Sequence, residues 1–588
     1  MSRLNDLIRQ LETKDASLAR DLRREVEALS KRRGFGLNFE RHVPEAVELP
    51  GRPVRRGDKV RVLPPRGSKP NSGDDRIWRV MTITKDASGK RTSSLELRDD
   101  AHETAAALVE DLVVVAEFRD PIYPGLVSIG KVERGGRKPY HAVINAENYH
   151  ALQTLSFTHR ASIDAIYVDP PYNTGNEGWI YNDRYITGDD LFMHSKWLAF
   201  IERRLLLAKQ LLRSTGVIIV AIGDDEQHRL RMLMDQVFGP ENFISNVVWQ
   251  GGRKNDARYV SNGADYMLIY ANSEKDLADS GVRWREPKAG VQEVIDAAYS
   301  YWQKTPDDLV FASKRLREWM ATGSVEIDPG TKAYDLVDER GRAYSRVKMT
   351  SPNYRPNLMY EIIHPVTGKA CPIPEKGWAL SREEMARRIA AGRVSFGSDE
   401  TTIPRAKQFL DESSVQNPTS VFERRRDHGS RHLVNVLGDK RFPNPKDPEV
   451  IERWIGLVAG NDATILDFFG GSGTTAEAVL RLNDRDGGRR RCILITNNEL
   501  SSSDEKQLRT SGHRPGESEW EARGVFQNVA KPRIETVITG RRPDGSKFSD
   551  GFSQNVEFFN LTYEAPLRVS SNREFAKIAP LLWLRSGS

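Results

Sequence analysis

Two blocks of this sequence, 140–275 and 463–496, alternate short apolar runs with helical patterns, and few architectures tolerate that alternation. In the first block, Ile163-Asp-Ala-Ile-Tyr-Val168 predicts a strand, Trp197 to Leu212 a leucine-rich helix closed near Gly216, Val217-Ile-Ile-Val-Ala-Ile222 a buried strand, and Glu226 to Phe238 a helix. Ala463-Thr-Ile-Leu-Asp467, a helix from Thr474 and a strand at Cys492-Ile-Leu-Ile-Thr496 resume the pattern in the second. A strand that is apolar throughout needs cover on both faces, and helices crossing between parallel strands supply it. Between about 276 and 436 the alternation fades into turn-rich and basic stretches. The expectation is one α/β sheet built from two separated segments, with a domain inserted between them.

The remaining sequence reads differently. Leu4, Ile8, Leu11, Leu18, Leu22, Val26 and Leu29 recur at helical spacing and predict an amphipathic helix or helical hairpin over 4–31. From Gly51 to Phe118, β-rich runs such as Lys59–Leu63, Trp78–Ile83, Ser94–Leu97 and Leu112–Phe118 are separated by Pro/Gly/Ser/Asp-rich turns, which predicts a small antiparallel barrel. At 588 residues the chain exceeds what one core serves, and roughly 100–200 residues per domain gives several units. Two distant cysteines, Cys371 and Cys492, make no disulfide framework and fit a reducing, cytoplasmic setting. No run approaches the ~18 apolar residues of a membrane span. The net charge of +6 is asymmetric, because residues 1–70 hold 17 Lys/Arg against 10 Asp/Glu. Such a basic excess invites a polyanion such as nucleic acid. The apolar stretch Phe575–Leu584 reads as a docked terminus or a shortened chain.

Two motifs carry chemistry. Asp169-Pro170-Pro171-Tyr172 directly follows the strand 163–168, at the carboxyl end where open α/β sheets bind ligands. Its prolines fix the backbone and leave carbonyls without competing amide donors. Asp169 and the Pro170 carbonyl can therefore accept the N–H groups of a planar amine while Tyr172 stacks on its face. The second motif, Asp467-Phe-Phe469-Gly-Gly471-Ser472-Gly473-Thr474-Thr475, runs from a strand through a glycine turn into a helix. No lysine stands where a phosphate-binding loop needs one. Glu499 lies just past the next strand, where a carboxylate can hold the hydroxyls of a ribose.

With these residues in order, the sequence resembles the DNA amino-methyltransferases, in particular the β-group N6-adenine enzymes that include the modification (Mod) subunits of type III restriction systems. Asn145–Leu152, Tyr181-Asn-Asp183 and Phe442-Pro-Asn-Pro-Lys446 flank the two motifs as in that family, and the likeness covers roughly residues 121–540. Gly470 stands where an alanine is common, a change the turn should absorb. The resemblance implies a Rossmann-like methyltransferase sheet. Its catalytic residues would be Asp169, Pro170, Pro171 and Tyr172. S-adenosylmethionine would be bound by Asp467, Phe469, Gly471, Ser472, Gly473, Thr474 and Glu499, with no metal. It further implies double-stranded DNA as partner, a flipped-out target adenine, and room for a helicase/nuclease partner subunit and a homodimer.

The implied domains are an N-terminal helical segment (1–50), a β-barrel-like accessory domain (51–120), a catalytic half (121–275), a target-recognition insert (276–436), a cofactor-binding half (437–540) and a C-terminal extension (541–588). In the insert, Tyr354, Trp378 and Arg424–Arg426 are candidates for DNA contact. Within the class, N4-cytosine methylation is the rival. Outside it stand a catalytically silent DNA-binding subunit and a protein-glutamine methyltransferase with a similar socket. Carbon-5 cytosine chemistry needs a nucleophilic thiolate, and Cys371 lies outside both motifs. His141, His150, His194 and His228 lack metal-ligand spacing.

Overall fold

The computed structural model describes residues 11, 14–15, 17–23, 37–42, 45–68, 76–175, 180–181, 184–185, 189–252 and 258–586. The helix expected over 4–31 lies mostly outside them, although 17–23 is helical. Of Tyr181-Asn-Asp183 only the backbone of 181 is described. The chain forms two compact units, 1–282 with 420–588, and 283–419.

The larger unit is organised by a ten-stranded mixed sheet. Its strands in chain order are β1 (Pro124–Glu133), β2 (Tyr140–Asn145), β3 (Ile163–Val168), β4 (Leu212–Ile222), β5 (Phe243–Gln250), β6 (Ala264–Ala271), β7 (Val421–Glu423), β8 (Thr464–Asp467), β9 (Arg491–Thr496) and β10 (Asn555–Tyr563). In space the order is β7-β5-β6-β4-β3-β8-β9-β2-β10-β1. The six strands from β4 to β10 run parallel; β6 pairs antiparallel with β4 and β5, and β1 with β10. Residues of β3, β4 and β9 are buried almost without interruption, as a sheet covered on both faces requires. Helices α1 (Asn148–Thr158), α2 (Met193–Leu211) and α3 (Asp224–Phe238) contribute Leu152, Trp197, Ile201 and Leu230 to the same core.

Three parts differ from the sequence expectations. The stretch 541–588 is not an appendage, because β10 sits inside the sheet between β2 and β1, and Phe575–Ser586 is a helix packed against β1. The return to the sheet comes at Ser420 rather than 436, since Val421–Glu423 pairs with β5 as β7. The amino-terminal β region begins at Ala46 and is a six-stranded antiparallel sheet whose pairing is linear, with Ala46–Leu49 and Asp100–Leu108 at its ends. The strand Asp100–Leu108 packs only Ala105 and Ala107 against the core and is otherwise largely exposed, and it does not pair with Ala46–Leu49, so the sheet stays open.

Much of the amino-terminal positive charge is paired. Arg41 meets Glu202, Arg52 meets Asp58, Lys59 meets Glu117 and Asp120, Arg61 meets Glu48, and Arg66 meets Glu517. Arg514 anchors the sheet by donating to Asp111 at 2.7 Å and to the Pro64 carbonyl at 2.9 Å.

The smaller unit has two cores. Helices Val291–Lys304 and Leu309–Ala321 enclose Val294, Ala298, Leu316 and Leu410, and a second cluster surrounds Trp378. Trp378 is fully buried, with its indole N–H on the Tyr360 carbonyl, so it is a core residue and not a DNA contact. Tyr354 is exposed. No helix among the described residues is long and apolar enough to cross a membrane.

Candidate active site

β3 and β8 are neighbours, with Ile465 beside Ala165 and Leu466 beside Ile166. From β3 the chain crosses to β4 on one side, and from β8 it crosses to β9 on the other. Their carboxyl ends therefore flank a topological switch point, and the two motifs open into one crevice.

After β3, Trp197 donates its indole N–H to the Pro171 carbonyl at 2.7 Å. Among the described residues none donates to the Pro170 carbonyl, which leaves it available as an acceptor. Asn173 turns the chain with a left-handed φ of 54°, a conformation asparagine tolerates, and its buried amide donates to Glu226 at 2.6 Å. The Tyr172 ring lies against the backbone of Gly223 at the start of α3, where even a Cβ would come within 2.8 Å of it. Asp169 remains 29% exposed. Burial raises its carboxyl above the usual range, the Lys446 ammonium opposes this, and the Asp265 carboxylate adds to it.

Lys446 is the residue that sequence reasoning left out of the site. Its Nζ stands 3.3 Å from Asp169 Oδ1, donates to the Tyr172 hydroxyl and lies 4.5 Å from the centre of the Tyr172 ring. Burial would lower its ammonium, yet Asp169 and Asp265 hold it above the ordinary lysine range. The Tyr172 hydroxyl thus has a partner, which the stacking role alone did not foresee.

The turn after β8 is tied internally. Asp467 is buried, accepting from the Phe469 amide at 2.9 Å and from the Thr475 hydroxyl at 2.6 Å. Burial nevertheless pushes its carboxyl up to about 7, with Asp169 contributing in the same direction. Gly473 has φ 83° and caps helix α5 (Thr474–Asp486), while a Cβ on Gly471, at φ 47°, would lie 3.7 Å from the Phe442 ring and 3.8 Å from the Phe469 carbonyl. Both conformations disfavour any other residue. Gly470 is different: a Cβ there would lie 2.6 Å from Leu494 Cγ and 3.0 Å from the Ile495 carbonyl, so alanine is not absorbed without a shift in β9.

Ser472 and Thr474 turn inward. The fully buried Arg533, on helix α6 (Lys531–Thr539), donates to the Ser472 hydroxyl at 3.1 Å, to the Thr474 hydroxyl at 2.7 Å and to Glu477 at 2.7 Å. Burial alone would raise Glu477, but Arg533 and His432 hold it down to about 2. Phe469 is half-buried beside Phe200 and Phe468. Glu499 is exposed beyond β9, accepts from the Asn497 amide at 2.5 Å and is within electrostatic reach of Glu147 and Arg204. Glu147 itself caps α1 and receives Arg204 at 2.7 Å. The arginine triplet is divided: Arg424 pairs with Asp447 and Glu449, Arg426 with Asp265, and Arg425 with Asp427 at the surface. No cluster of metal-binding side chains occurs among the described residues.

The DNA methylase family profile matches residues 163–500, more than half of the chain. The Mod subunit of the type III restriction-modification enzyme StyLTI from Salmonella typhimurium is 30% identical over 392 residues, covering 62% of this chain and 54% of that protein. The EcoP15I Mod subunit of Escherichia coli is 26% identical over 373 residues, covering 59% and 56%. The type II methyltransferase M.KpnI of Klebsiella pneumoniae is 30% identical over 360 residues, covering 60% and 79%. The chain spans about half the length of the two Mod subunits. A solved structure, the cytosine-N4-specific PvuII DNA methyltransferase, is 11% identical, with 68% of this chain and 96% of that one covered at a TM-score of 0.31. With the profile spanning both motifs and the strands that carry them, the chain belongs to the DNA methylase family.

Proposed function

We propose that the protein is an S-adenosylmethionine-dependent DNA methyltransferase that acts on the N6 amine of a flipped-out adenine in double-stranded DNA, within a restriction-modification system. The observation that carries this reading is the open Pro170 carbonyl beside the Asp169 carboxylate and the Tyr172 ring, one strand away from the glycine turn.

An exocyclic amine is a poor nucleophile because its lone pair is delocalised into the ring. Asp169 and the Pro170 carbonyl accept its two N–H groups, favour a pyramidal nitrogen and aim the lone pair across the crevice. Tyr172 replaces the stacking lost when the base leaves the duplex. Asp169 need not be a strong base, because the N–H proton becomes acidic only as the nitrogen acquires its new bond.

The residues of the second loop fit the cofactor. Asp467 is a buried carboxylate with no ion-pair partner among the described residues, and a ligand bearing an ammonium group would complete it. Gly471 leaves the backbone approachable, Phe469 offers a ring face, Gly473 and the Arg533-held Ser472 and Thr474 fix the turn, and Glu499 offers a carboxylate to ribose hydroxyls. When bound, S-adenosylmethionine supplies an electrophilic methyl group.

The two Mod relatives are named as subunits of restriction-modification enzymes, which supports a partner subunit for this chain as well. The smaller unit, 283–419, is the segment we assign to reading the target sequence.

The test is transfer of a tritiated methyl group from S-adenosylmethionine to unmethylated bacterial chromosomal DNA, followed by nucleoside mass spectrometry. N6-methyladenine is expected. N4-methylcytosine would move the assignment to the rival base, and no DNA product from protein that binds the cofactor would overturn it.

A further inference from the structure

In the free protein the amine socket already holds a cation. Lys446 brings its ammonium to 3.3 Å from Asp169 Oδ1 and 3.7 Å from Asp265 Oδ2, over the Tyr172 ring and 5.9 Å from the centre of the Trp249 ring. The socket offers its substrate a carboxylate beside an aromatic face, and the ammonium stands against both, ion-paired to Asp169 without a well-aligned hydrogen bond to Oδ1. A base and this ammonium therefore compete for one place. Asp265 is a fixed second partner, because it is buried and its other oxygen accepts from Arg426 at 2.9 Å.

We propose that Lys446 is a positioning residue that occupies the amine subsite as a resident counter-ion and retreats onto Asp265 when the target base enters. This rests on the methyltransferase reading above. A neutral amine can displace a cation from a partly buried carboxylate only if the cation keeps a carboxylate elsewhere, since an unpaired charge in such a site costs several kcal/mol. Asp265, held by Arg426, provides that alternative within a short side-chain movement.

The charged and titratable groups facing Asp169 are Lys446 from the segment before helix α4 (Pro448–Val458), Asp265 from β6, Asp467 from β8, and Tyr167 and Tyr172 from its own strand and loop. Among them only Lys446 is a cation. Removing it leaves Asp169 facing two carboxylates, and Asp169 then takes up a proton and ceases to be a full acceptor.

The experiment uses the full chain with Lys446→Met, alone and combined with Asp169→Asn, and Asp265→Asn beside them. In thermal melts from pH 5 to 8, the penalty of Lys446→Met should grow as pH rises, because the ionised Asp169 has lost its counter-ion, and this growth should vanish in the Asp169→Asn background. In the tritium assay on unmethylated chromosomal DNA, Lys446→Met should keep cofactor affinity within about two-fold by calorimetry. Its kcat should fall at least ten-fold at pH 7 and recover at higher pH. Asp265→Asn should raise KM for DNA severalfold with little change in kcat, because Lys446 then has nowhere to go.

A melting penalty that is independent of pH and of residue 169 overturns the counter-ion role. Loss of cofactor affinity in Lys446→Met would place this residue with the other loop and overturns it too. If the wild-type protein transfers no methyl group to DNA, the functional reading fails, and base entry fails with it even where the melts show Lys446 coupled to Asp169.

Discussion

After β3 the chain leaves the sheet with Asp169 partly exposed and the Pro170 carbonyl without a donor among the described residues; after β8, one strand away, it leaves with Asp467, Ser472 and Thr474 all buried and bonded to protein. The glycine turn is completed by its own neighbours, down to Gly470 pressed on β9. The Pro-Pro loop is anchored at its far end through Trp197 on Pro171 and Glu226 on Asn173, while Asp169 and Tyr172 meet the side chain of Lys446. On the proposed function the difference has a physical reason. A small cofactor can enter a turn whose shape is set in advance, whereas a base arriving from a duplex needs acceptors that the protein can give up, and Asp169 is held by an ion pair to Lys446 alone among the described residues. Rigidity sits in one loop and unsatisfied hydrogen-bonding capacity in the other.

The largest effect that can break this contrast is at Arg533. Arg533→Met leaves Glu477 buried without its guanidinium and frees Ser472 and Thr474, so we expect a loss of about 3–5 kcal/mol in stability, read by denaturant unfolding, with weaker cofactor binding in calorimetry. A variant as stable as the parent would mean that the turn is not held from within.

Asp169→Ala acts on the other loop. It should leave cofactor affinity and melting temperature nearly unchanged while methyl transfer falls at least ~100-fold, the scale for losing one preorganised hydrogen-bonding group. Near-full activity would remove the amine acceptor from the scheme.

Asp467→Asn sharpens the comparison through pH. The folded protein holds the Asp467 proton up to about pH 7, while the unfolded chain releases it in the ordinary carboxylate range, about 3.9. The stability this carboxyl contributes is therefore present below that range and is lost as pH rises toward 7. The asparagine variant escapes the loss, so its melting temperature relative to the parent should climb between pH 4 and 8; a flat difference would show that Asp467 is not strained by burial.

The smallest effect belongs to Tyr172→Phe. The ring keeps its stacking face and Lys446 loses one acceptor, so activity should change only severalfold, against a far larger loss for Tyr172→Ala. Equal losses would shift the role of Tyr172 from ring to hydroxyl.

The sequence made the central sheet readable because parallel strands are covered on both faces. The apolar run 163–168 became β3 with the expected bounds, and the helices expected from Trp197, Glu226 and Thr474 are α2, α3 and α5. β10 escaped because Asn555–Tyr563 mixes polar and apolar residues and follows no βα rhythm; only pairing with the distant β1 and β2 makes it a strand. The role of Lys446, named only as the end of a flanking segment, and Arg533 altogether escaped for another reason. In a chain with 29% charged residues a lone cation carries no mark of its partner. Arg533 did leave one clue, since it lies four residues before Val537 on a helix whose Ile534 and Ile538 are also buried. Trp378 shows the opposite error, an aromatic in a turn-rich segment read as a contact surface when its indole closes a small core.

The adjacency of β3 and β8 also sets when the crevice between them can form. The amide of Thr464 bonds to Asp164, 300 residues earlier, so at a synthesis rate of about 5–20 residues per second β3 waits roughly 15–60 s for its neighbour. Throughout that interval one flank of an apolar strand has no partner, which is the kind of exposed edge that recruits other chains. Nascent chains should therefore depend on holdase chaperones until residue 467 has emerged, and slow codons placed between 283 and 419 should lower the yield of soluble protein more than the same codons placed after 496.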